Sequence, residues 1–296
     1  MNTKRLPISR KVWPYIFVAP ALIHLLSFRV GPSIQTLILS VRPAMRLGGG
    51  TDGGFTLANY RSLLNPNFGE VLFNSFYYVS GGMILLVVGS LVVALLLNRG
   101  WGKDIYRAIY FYPYTVVMVA TGIIWAYGFR ADGFVNQILS VFGVPRANWL
   151  KGSGNLAMPA LIFTTSWRYL GYFAVIYLSG LQAIPTTLYD AASVDGASAS
   201  QKFWNVTVPQ LRPIILFVMV MSSIELLRQF AIPLVMTGGG PFNKTNVLPL
   251  EIYRQAFTYF NMNKAAAESF VLIAIAVGFS VLQFRVVGRS ERRRKQ

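Results

Sequence analysis

Long stretches of apolar residues with few or no charges are the feature that most constrains this chain. A helix that crosses the hydrocarbon core of a bilayer needs about 20 predominantly apolar residues. Six windows of that kind occur, and each contains at most two charged residues: 13–41, 71–98, 108–129, 157–181, 213–235 and 265–287. The sequence therefore predicts an all-α membrane protein with six transmembrane helices.

The six windows also divide the chain. They predict an N-terminal tail over residues 1–12, a six-span domain over 13–288 and a basic tail over 289–296. The connection between the fourth and fifth windows, 182–212, is the longest segment on its side of the membrane apart from the spans.

Basic residues are distributed unevenly between the two sides. Fifteen Lys and Arg residues lie in the two tails, in the second and fourth connections and at Arg285 near the end of the last window, whereas the other three connections hold nine. By the positive-inside rule, both termini are expected in the cytoplasm and the protein in the cytoplasmic membrane. This placement accounts for the net charge of +17, because a basic tail beside the membrane binds anionic lipid. Membrane lipid is thus an expected partner and nucleic acid is not.

Several kinds of chemistry are excluded by composition. The chain has no cysteine and a single histidine, so neither a cysteine- or histidine-based metal site nor a Ser-His-Asp triad can form. The phosphate-binding pattern G-x-x-x-x-G-K-[ST] is absent as well. We expect no metal and no cofactor bound by this chain, and no enzymatic activity of its own.

The connection between the fourth and fifth windows carries more helix signals than a simple link needs. Thr187 and Asp190 have the spacing of a capping box that begins a short helix, and Gly196 can supply the left-handed residue that ends it. Ser198 or Ser200 can then cap a second helix. The sequence predicts a helix-turn-helix along the membrane face, with apolar side chains that enter a groove on another protein or rest on lipid headgroups.

The same segment resembles the EAA loop of ABC importer permeases, whose pattern is E-A-A-x3-G-x9-I-x-L-P. Asp replaces the glutamate of the pattern, and Val replaces its Ile and Leu. The matching positions are Asp190-Ala191-Ala192, Gly196, Val206 and Val208-Pro209. Further matches to the first permease of maltose-type sugar importers follow in order along most of the chain: Asn59-Tyr60, 94–99, Tyr106-Arg107, 181–185, Asp195-Gly196-Ala197 and 237–241.

This resemblance implies a function. It implies the type I ABC importer architecture and a permease subunit that moves a sugar or related polyol, while ATP and Mg are bound by a separate ATPase dimer. A second permease subunit and an extracytoplasmic solute-binding protein are the other implied partners. The loop 186–209 is implied to dock on the ATPase through Asp190, Ala191, Ala192, Asp195, Gly196, Ala197, Phe203 and Pro209.

Ionisable residues inside the windows are the candidates for solute contact. A lone carboxylate at mid-membrane costs roughly 2.5–3.5 kcal/mol, so Glu225 is expected to be buried, either in an ion pair with Arg228 or against solute. Aromatic rings together with groups that bond hydroxyls suit a polyol. With the resemblance, which places the solute among the later spans, the predicted substrate-binding residues are Arg168, Tyr172, Glu225 and Gln229.

The fifth connection contains a run of three glycines and a proline. Gly238, Gly239, Gly240 and Pro241 are predicted to form a flexible turn, or a gate or contact for a solute-binding protein.

Two other functional classes fit the sequence less well. A self-contained ion-coupled secondary transporter would need several intramembrane carboxylates and an internal repeat, of which the sequence offers one central carboxylate and no evident repeat. A membrane-embedded enzyme would need a nucleophile, a metal cluster or an acid/base pair in one place, and none is evident.

Overall fold

A computed structural model describes residues 13–43, 54–99, 103–152 and 155–292 of the chain. Within these ranges the regular structure is entirely helical, which confirms the all-α prediction for them. The helices are α1 (Trp13–Leu25), α2 (Gly31–Ser40), α3 (Ala58–Arg61), α4 (Pro66–Ile84), α5 (Ser90–Arg99), α6 (Lys103–Thr115), α7 (Met118–Gly128), α8 (Phe134–Val141), α9 (Ala157–Gln182), α10 (Thr186–Val194), α11 (Ala199–Lys202), α12 (Val208–Leu227), α13 (Ala231–Thr237), α14 (Leu248–Tyr253) and α15 (Met262–Arg292). Four π-helical turns join successive helices at Leu26–Val30, Leu85–Gly89, Phe203–Thr207 and Arg254–Thr258.

Four helical segments are long and apolar enough to cross a membrane. They are Tyr15–Ser40, Pro66–Asn98, Ala199–Leu227 and Met262–Arg285. A fifth candidate consists of Tyr106–Thr115 and Met118–Gly128, which meet at an angle of 101°. Helix α9 is 26 residues long, yet it is less apolar than these segments and does not count among them by composition.

The chain forms two compact units, of which the first comprises residues 1–63 and 255–270. In it, the buried amide of Asn59 donates to the carbonyl oxygens of Ser40 and Arg42, both at 2.8 Å. Asn263 donates to the carbonyl of Arg42 as well, at 3.1 Å. These bonds satisfy carbonyl groups at the C-terminal end of α2, which have no partner within the helix.

Helix α9 lies at the centre of the second unit, residues 64–254 and 271–296. Its buried face includes the fully enclosed side chains of Leu161, Phe173 and Tyr177, and it packs against α4, α5, α6 and α12. A helix surrounded by other helices needs less apolar surface than one that faces lipid. This position explains why α9 can carry buried Thr164 and Thr165.

Two glycines of α9 allow neighbouring helices to approach closely. A β-carbon at Gly171 would overlap the backbone carbonyl of Tyr110 on α6, and one at Gly180 would overlap the side chain of Ile214 on α12. Small residues at helix contacts are common in membrane proteins because they permit such approach.

The predicted third span, 108–129, is not one continuous helix, because the helix is broken between α6 and α7. Val117 has extended backbone angles (φ −59°, ψ 134°), and the helix restarts at Met118. Pro113 lacks a backbone N–H and already weakens the helix four residues earlier. The break persists because Arg168 of α9 bonds carbonyl groups on either side of Thr115.

The helix that corresponds to the predicted fifth span, 213–235, has different bounds. The second helix predicted inside the loop 182–212 is continuous with it, because α11, a π turn and α12 form one segment, Ala199–Leu227. The segment ends at Leu227, and α13 begins at Ala231. In a continuous helix the ring of Pro233 would clash with the carbonyl four residues before it, whereas in the first turn of α13 it is tolerated.

We expect Gly171→Ala to lower the stability of the protein, because the added methyl group overlaps backbone atoms that cannot turn away. Overpacking of this kind costs about 1–3 kcal/mol. The thermal midpoint of the purified protein in detergent measures the effect. Gly278→Ala on α15 is the matched control, since nothing lies within 4 Å of its β-carbon position; equal midpoints for the two variants would contradict the close approach of α9 and α6.

Candidate functional site

Helix α10 ends in a hydrogen-bonded turn at Gly196. The residue has a left-handed backbone (φ 71°), and its N–H donates to Ser193 O at 3.0 Å while that of Ala197 donates to Ala192 O at 2.9 Å. This pair of bonds is a Schellman motif, which usually requires glycine at the left-handed position. The predicted role of Gly196 in ending the helix is confirmed.

The next helix begins with a capping box. Ser198 Oγ accepts from the N–H of Gln201 at 3.3 Å, and the Gln201 side chain accepts from the N–H of Ser198 at 2.7 Å. Ser198 is therefore the cap, and Ser200 is not. The predicted capping box at Thr187 and Asp190 is wrong, because the N-cap of α10 is Pro185, two residues earlier, and it provides no side-chain cap.

Side-chain bonds fix the two short helices against each other. The hydroxyl groups of Tyr189 and Thr207 lie 2.9 Å apart, and Lys202 Nζ donates to Ser193 Oγ at 2.7 Å. The helix-turn-helix of residues 186–207 is thus an ordered unit with a defined shape.

This helix-turn-helix exposes apolar and acidic side chains together. Val194 is 88% exposed and Trp204 is 63% exposed, so the helix-turn-helix presents apolar surface. Asp190 and Asp195 are exposed beside them. Of the other predicted coupling residues, Ala191 and Gly196 are exposed, and four are partly buried: Ala192, Ala197, Phe203 and Pro209.

The guanidinium group of Arg168 lies against the break between α6 and α7. It donates to Tyr114 O at 3.0 Å and to Val116 O at 3.1 and 3.2 Å. It also lies 5.1 Å from the ring centres of Tyr114 and Tyr169. A cation over aromatic faces is stabilised by the ring quadrupoles. Arg168 is a predicted solute contact, but most of its N–H groups are therefore already bonded to the protein itself.

Two further predicted residues belong to the same cluster. The ring of Tyr172 stacks on that of Tyr114, with centres 4.5 Å apart and planes 18° apart. Glu225 on α12 accepts a hydrogen bond from Tyr169 Oη at 3.0 Å. The structure thus gathers Arg168, Tyr172 and Glu225 around Tyr114 and Tyr169, and we call these five residues the bend cluster.

The expected ion pair between Glu225 and Arg228 does not form. Arg228 lies at the C-terminal cap of α12 with its side chain exposed, because the helix ends there and turns the chain away. Glu225 is half-buried rather than buried, and Tyr169 supplies its hydrogen bond. Gln229 is only 4% exposed; it donates to Met118 Sδ at 3.2 Å and accepts from the N–H of Ile232 at 3.5 Å.

The glycine-rich turn is fixed by several hydrogen bonds. Gly238 and Gly239 both have positive φ, and Arg254 donates to the carbonyl of Gly238. The hydroxyl of Thr245 donates to Gly240 O at 2.7 Å. A β-carbon at Gly239 would lie 2.8 Å from Arg254 Nη2. The turn, which continues into Pro241, is therefore tied by hydrogen bonds to Thr245 and Arg254.

Sequence reasoning missed the residues that organise these sites. Tyr114 and Tyr169 are ordinary aromatic residues within apolar windows, and Arg254 lies 16 positions after the glycine whose carbonyl it bonds. Pro113 was the one available signal for the break that Tyr114 adjoins. Within the described ranges, no group of three or more His, Cys, Asp and Glu side chains could hold a metal ion.

A family model and curated relatives match most of the chain. The model described as "Binding-protein-dependent transport system inner membrane component" matches residues 62–296. The sn-glycerol-3-phosphate transport system permease protein UgpA of Agrobacterium fabrum is 32% identical, over 94% of this chain and 95% of its own length. The arabinooligosaccharides transport system permease protein AraP of Bacillus subtilis is 30% identical, over 95% and 90%.

A solved structure has a similar fold. A chain of a bacterial ABC transporter involved in the import of the acidic polysaccharide alginate superposes with a TM-score of 0.81 and 19% identity, covering 95% of this chain and 96% of its own. At that identity the similarity concerns the fold.

We expect Arg168→Leu to destabilise the protein, because it leaves the carbonyl groups of Tyr114 and Val116 without their donor. An unsatisfied buried polar group costs about 1–3 kcal/mol. The measurement is the thermal midpoint of the purified protein in detergent. Arg228→Leu is the control, because it removes an exposed arginine at the C-terminal end of α12. Should both variants unfold at the wild-type temperature, Arg168 would not support the break.

Proposed function

Since the chain belongs to the family of binding-protein-dependent transport system inner membrane components, we propose that it is a permease subunit of an ATP-driven importer for a sugar or a related polyol. The named relatives support this solute class, because their names refer to glycerol phosphate and to oligosaccharides. The observation that carries the proposal is the ordered helix-turn-helix 186–207, which exposes apolar side chains where a partner subunit would dock. Family membership also disfavours the self-contained secondary transporter.

The proposed architecture has six spans with both termini in the cytoplasm. Five spans are the candidates given by apolarity, and α9 is the sixth, since its 26 residues extend about 39 Å, enough to cross the hydrocarbon core. Its lower apolarity follows from its central position. The uneven distribution of basic residues supports the orientation.

The helix-turn-helix is proposed to dock on a separate ATPase dimer, which binds the ATP and Mg. Exposed Val194 and Trp204 supply apolar surface, and Asp190 and Asp195 supply acidic groups at its edge. Ala191, Ala192 and Ala197 keep the helices slim, while Gly196 sets the angle between them. Phe203 contacts the ring of Trp204 at 5.0 Å, and Pro209 lies in the first turn of α12.

The bend cluster is proposed to lie beside the solute path. Half-buried Glu225 and Tyr172 are the residues we propose for solute contact, because a carboxylate binds hydroxyl groups and a tyrosine ring stacks on a sugar face. Arg168 and Gln229 are proposed to position the helices that carry this contact, since both are engaged with the protein itself. Both residues were predicted to bind solute, and here they are proposed to support the surrounding helices instead.

The other proposed partners lie beside and outside the membrane. A second permease subunit would cover the exposed side of α12, where Arg228 cannot face lipid at low cost. A solute-binding protein would contact the outer surface near Gly238, Gly239, Gly240 and Pro241, whose fixed geometry suits a specific contact.

We expect Gly196→Val to uncouple ATP hydrolysis from transport while the protein still inserts. A branched side chain in left-handed conformation costs about 1–2 kcal/mol and disfavours the docked turn roughly tenfold. Nothing lies within 4 Å of the β-carbon position, so the effect is one of conformation and not of space. Gly196→Asn is the control, because asparagine tolerates this conformation.

The measurement is ATP-driven solute uptake in proteoliposomes that contain the complete transporter. Uptake should fall about tenfold for Gly196→Val and little for Gly196→Asn. Normal uptake by the valine variant would overturn the docking role of the turn, and uptake independent of ATP and of any ATPase subunit would overturn the importer proposal itself.

We expect Glu225→Gln to raise the solute concentration needed for half-maximal uptake by about fivefold, because the amide replaces one of the two carboxyl oxygens, a hydrogen-bond acceptor, with an NH₂ donor. Glu70→Gln on α4, an exposed carboxylate outside the bend cluster, is the control. Tyr169→Phe keeps the carboxylate but removes its anchor and should have a smaller effect. Unchanged uptake kinetics for Glu225→Gln would exclude a solute contact.

A further inference from the structure

A cavity outside the bend cluster is formed by three segments of the second unit. Its volume is about 870 Å³, and its walls are the end of α7, the strap 148–152 and the glycine-rich turn after α13. Binding sites for small molecules typically have volumes of about 300–1,000 Å³. In the proposed orientation all three segments lie at the outer surface of the membrane.

Hydrogen bonds hold the walls of the cavity in place. The buried amide of Asn136 donates to Arg130 O and Ala147 O, both at 2.8 Å, and its oxygen accepts from Trp149 Nε1 at 3.1 Å. One side chain thereby ties the turn after α7 to the strap. The third wall, at Gly240, is fixed through the bond from Thr245. A cavity with fixed walls binds a ligand without a large ordering cost.

The charged groups of the cavity leave one positive charge in excess. Arg130 pairs with Asp132 at 3.3 Å and lies 5.5 Å from the ring centre of Tyr127. Lys151 also lines the cavity, and among the described residues its ammonium group has no ion pair or hydrogen bond. A ligand that enters therefore meets one cation whose charge is not balanced within the cavity.

The other residues that line the cavity can bind the hydroxyl groups and the apolar CH faces of a sugar-like solute. Phe242 is 78% exposed at the mouth, and Tyr127 offers a second ring. Asn148 and Thr237 supply side-chain groups that bond hydroxyls. Aromatic faces with interspersed hydrogen-bonding groups favour a polar solute with apolar CH faces over an apolar ligand.

We propose that this cavity is an outer binding site for a hydroxylated solute that carries a carboxylate or phosphate group, with Lys151 as its counter-charge. The inference rests on the proposed function only for the orientation of the membrane. This outer site is distinct from the bend cluster. A solute would occupy it before entering the path between the helices.

The absence of cysteine from the chain allows a direct test with single-cysteine variants. Ala131→Cys introduces a thiol on the exposed cavity wall, and Ser140→Cys introduces one on the exposed surface of α8 outside the cavity. The full transporter in right-side-out vesicles is treated with a membrane-impermeant maleimide. Galacturonate and glycerol 3-phosphate are the acidic probes, and galactose and glycerol are their neutral counterparts.

We expect the acidic probes to slow labelling of Ala131→Cys and to leave Ser140→Cys unaffected. The neutral probes should need about fivefold higher concentrations, the usual size of one partly exposed charge interaction. Adding Lys151→Gln to Ala131→Cys should abolish that difference. Arg146→Gln, which removes an exposed basic residue outside the cavity, should preserve it.

The outcomes separate this inference from the proposed function. If ATP-driven uptake occurs and no probe protects Ala131→Cys, the outer site is refuted and the importer proposal stands. Protection by the solute-binding protein alone, with no added protection by any probe, would refute it too, because the binding protein and not a solute would then cover the cavity. Equal protection by acidic and neutral probes, unchanged by Lys151→Gln, would refute the acidic class of ligand. Protection without any ATP-driven uptake would support the site and overturn the importer proposal.

Discussion

The requirement that backbone polar groups find partners inside the protein determines how this chain can bend within a bilayer. Lipid offers no hydrogen bonds, so a broken helix needs donors from a neighbouring element. At the break between α6 and α7, the donors come from a single guanidinium group on α9. The 101° change of direction therefore depends on a residue 52 positions away from Val116.

Helix α9 consequently has two structural tasks. Through Arg168 it supports the break, and through the adjacent Tyr169 it orients Glu225 of α12. A helix with these polar contacts cannot also be uniformly apolar. Because α9 is enclosed by other helices, it does not need to be. Any movement of α12 relative to α9 must stretch the bond to Glu225 or shift Tyr169 together with it. The proposed solute contact is thus sensitive to how the helices pack.

The sequence was sufficient for features that depend on local chemistry. Apolar windows predicted the long helices, Gly196 predicted the end of one short helix, and Ser198 or Ser200 predicted the start of the next, because a left-handed turn and a cap are decided by a few neighbouring residues. Features that depend on distant partners were not predictable: the support of the break by Arg168, the partner of Glu225 and the ordered turn around Gly238 all require residues brought together only by folding. The end of α12 lies between these two cases, because Pro233 within the window 213–235 is a local signal against one continuous helix.

The continuity of the segment Ala199–Leu227 links the two proposed sites mechanically. Sequence reasoning separated a cytoplasmic loop from a span, but α11, the π turn and α12 form one helical body that carries Lys202 near one end and Glu225 near the other. The two residues are about 35 Å apart along that body, at 1.5 Å per residue. Because Lys202 bonds Ser193 of α10, the helix-turn-helix is tied directly to the segment that contains α12. The proposed coupling between an ATPase and the solute path would therefore need no separate relay, because one continuous helical segment joins the two proposed sites.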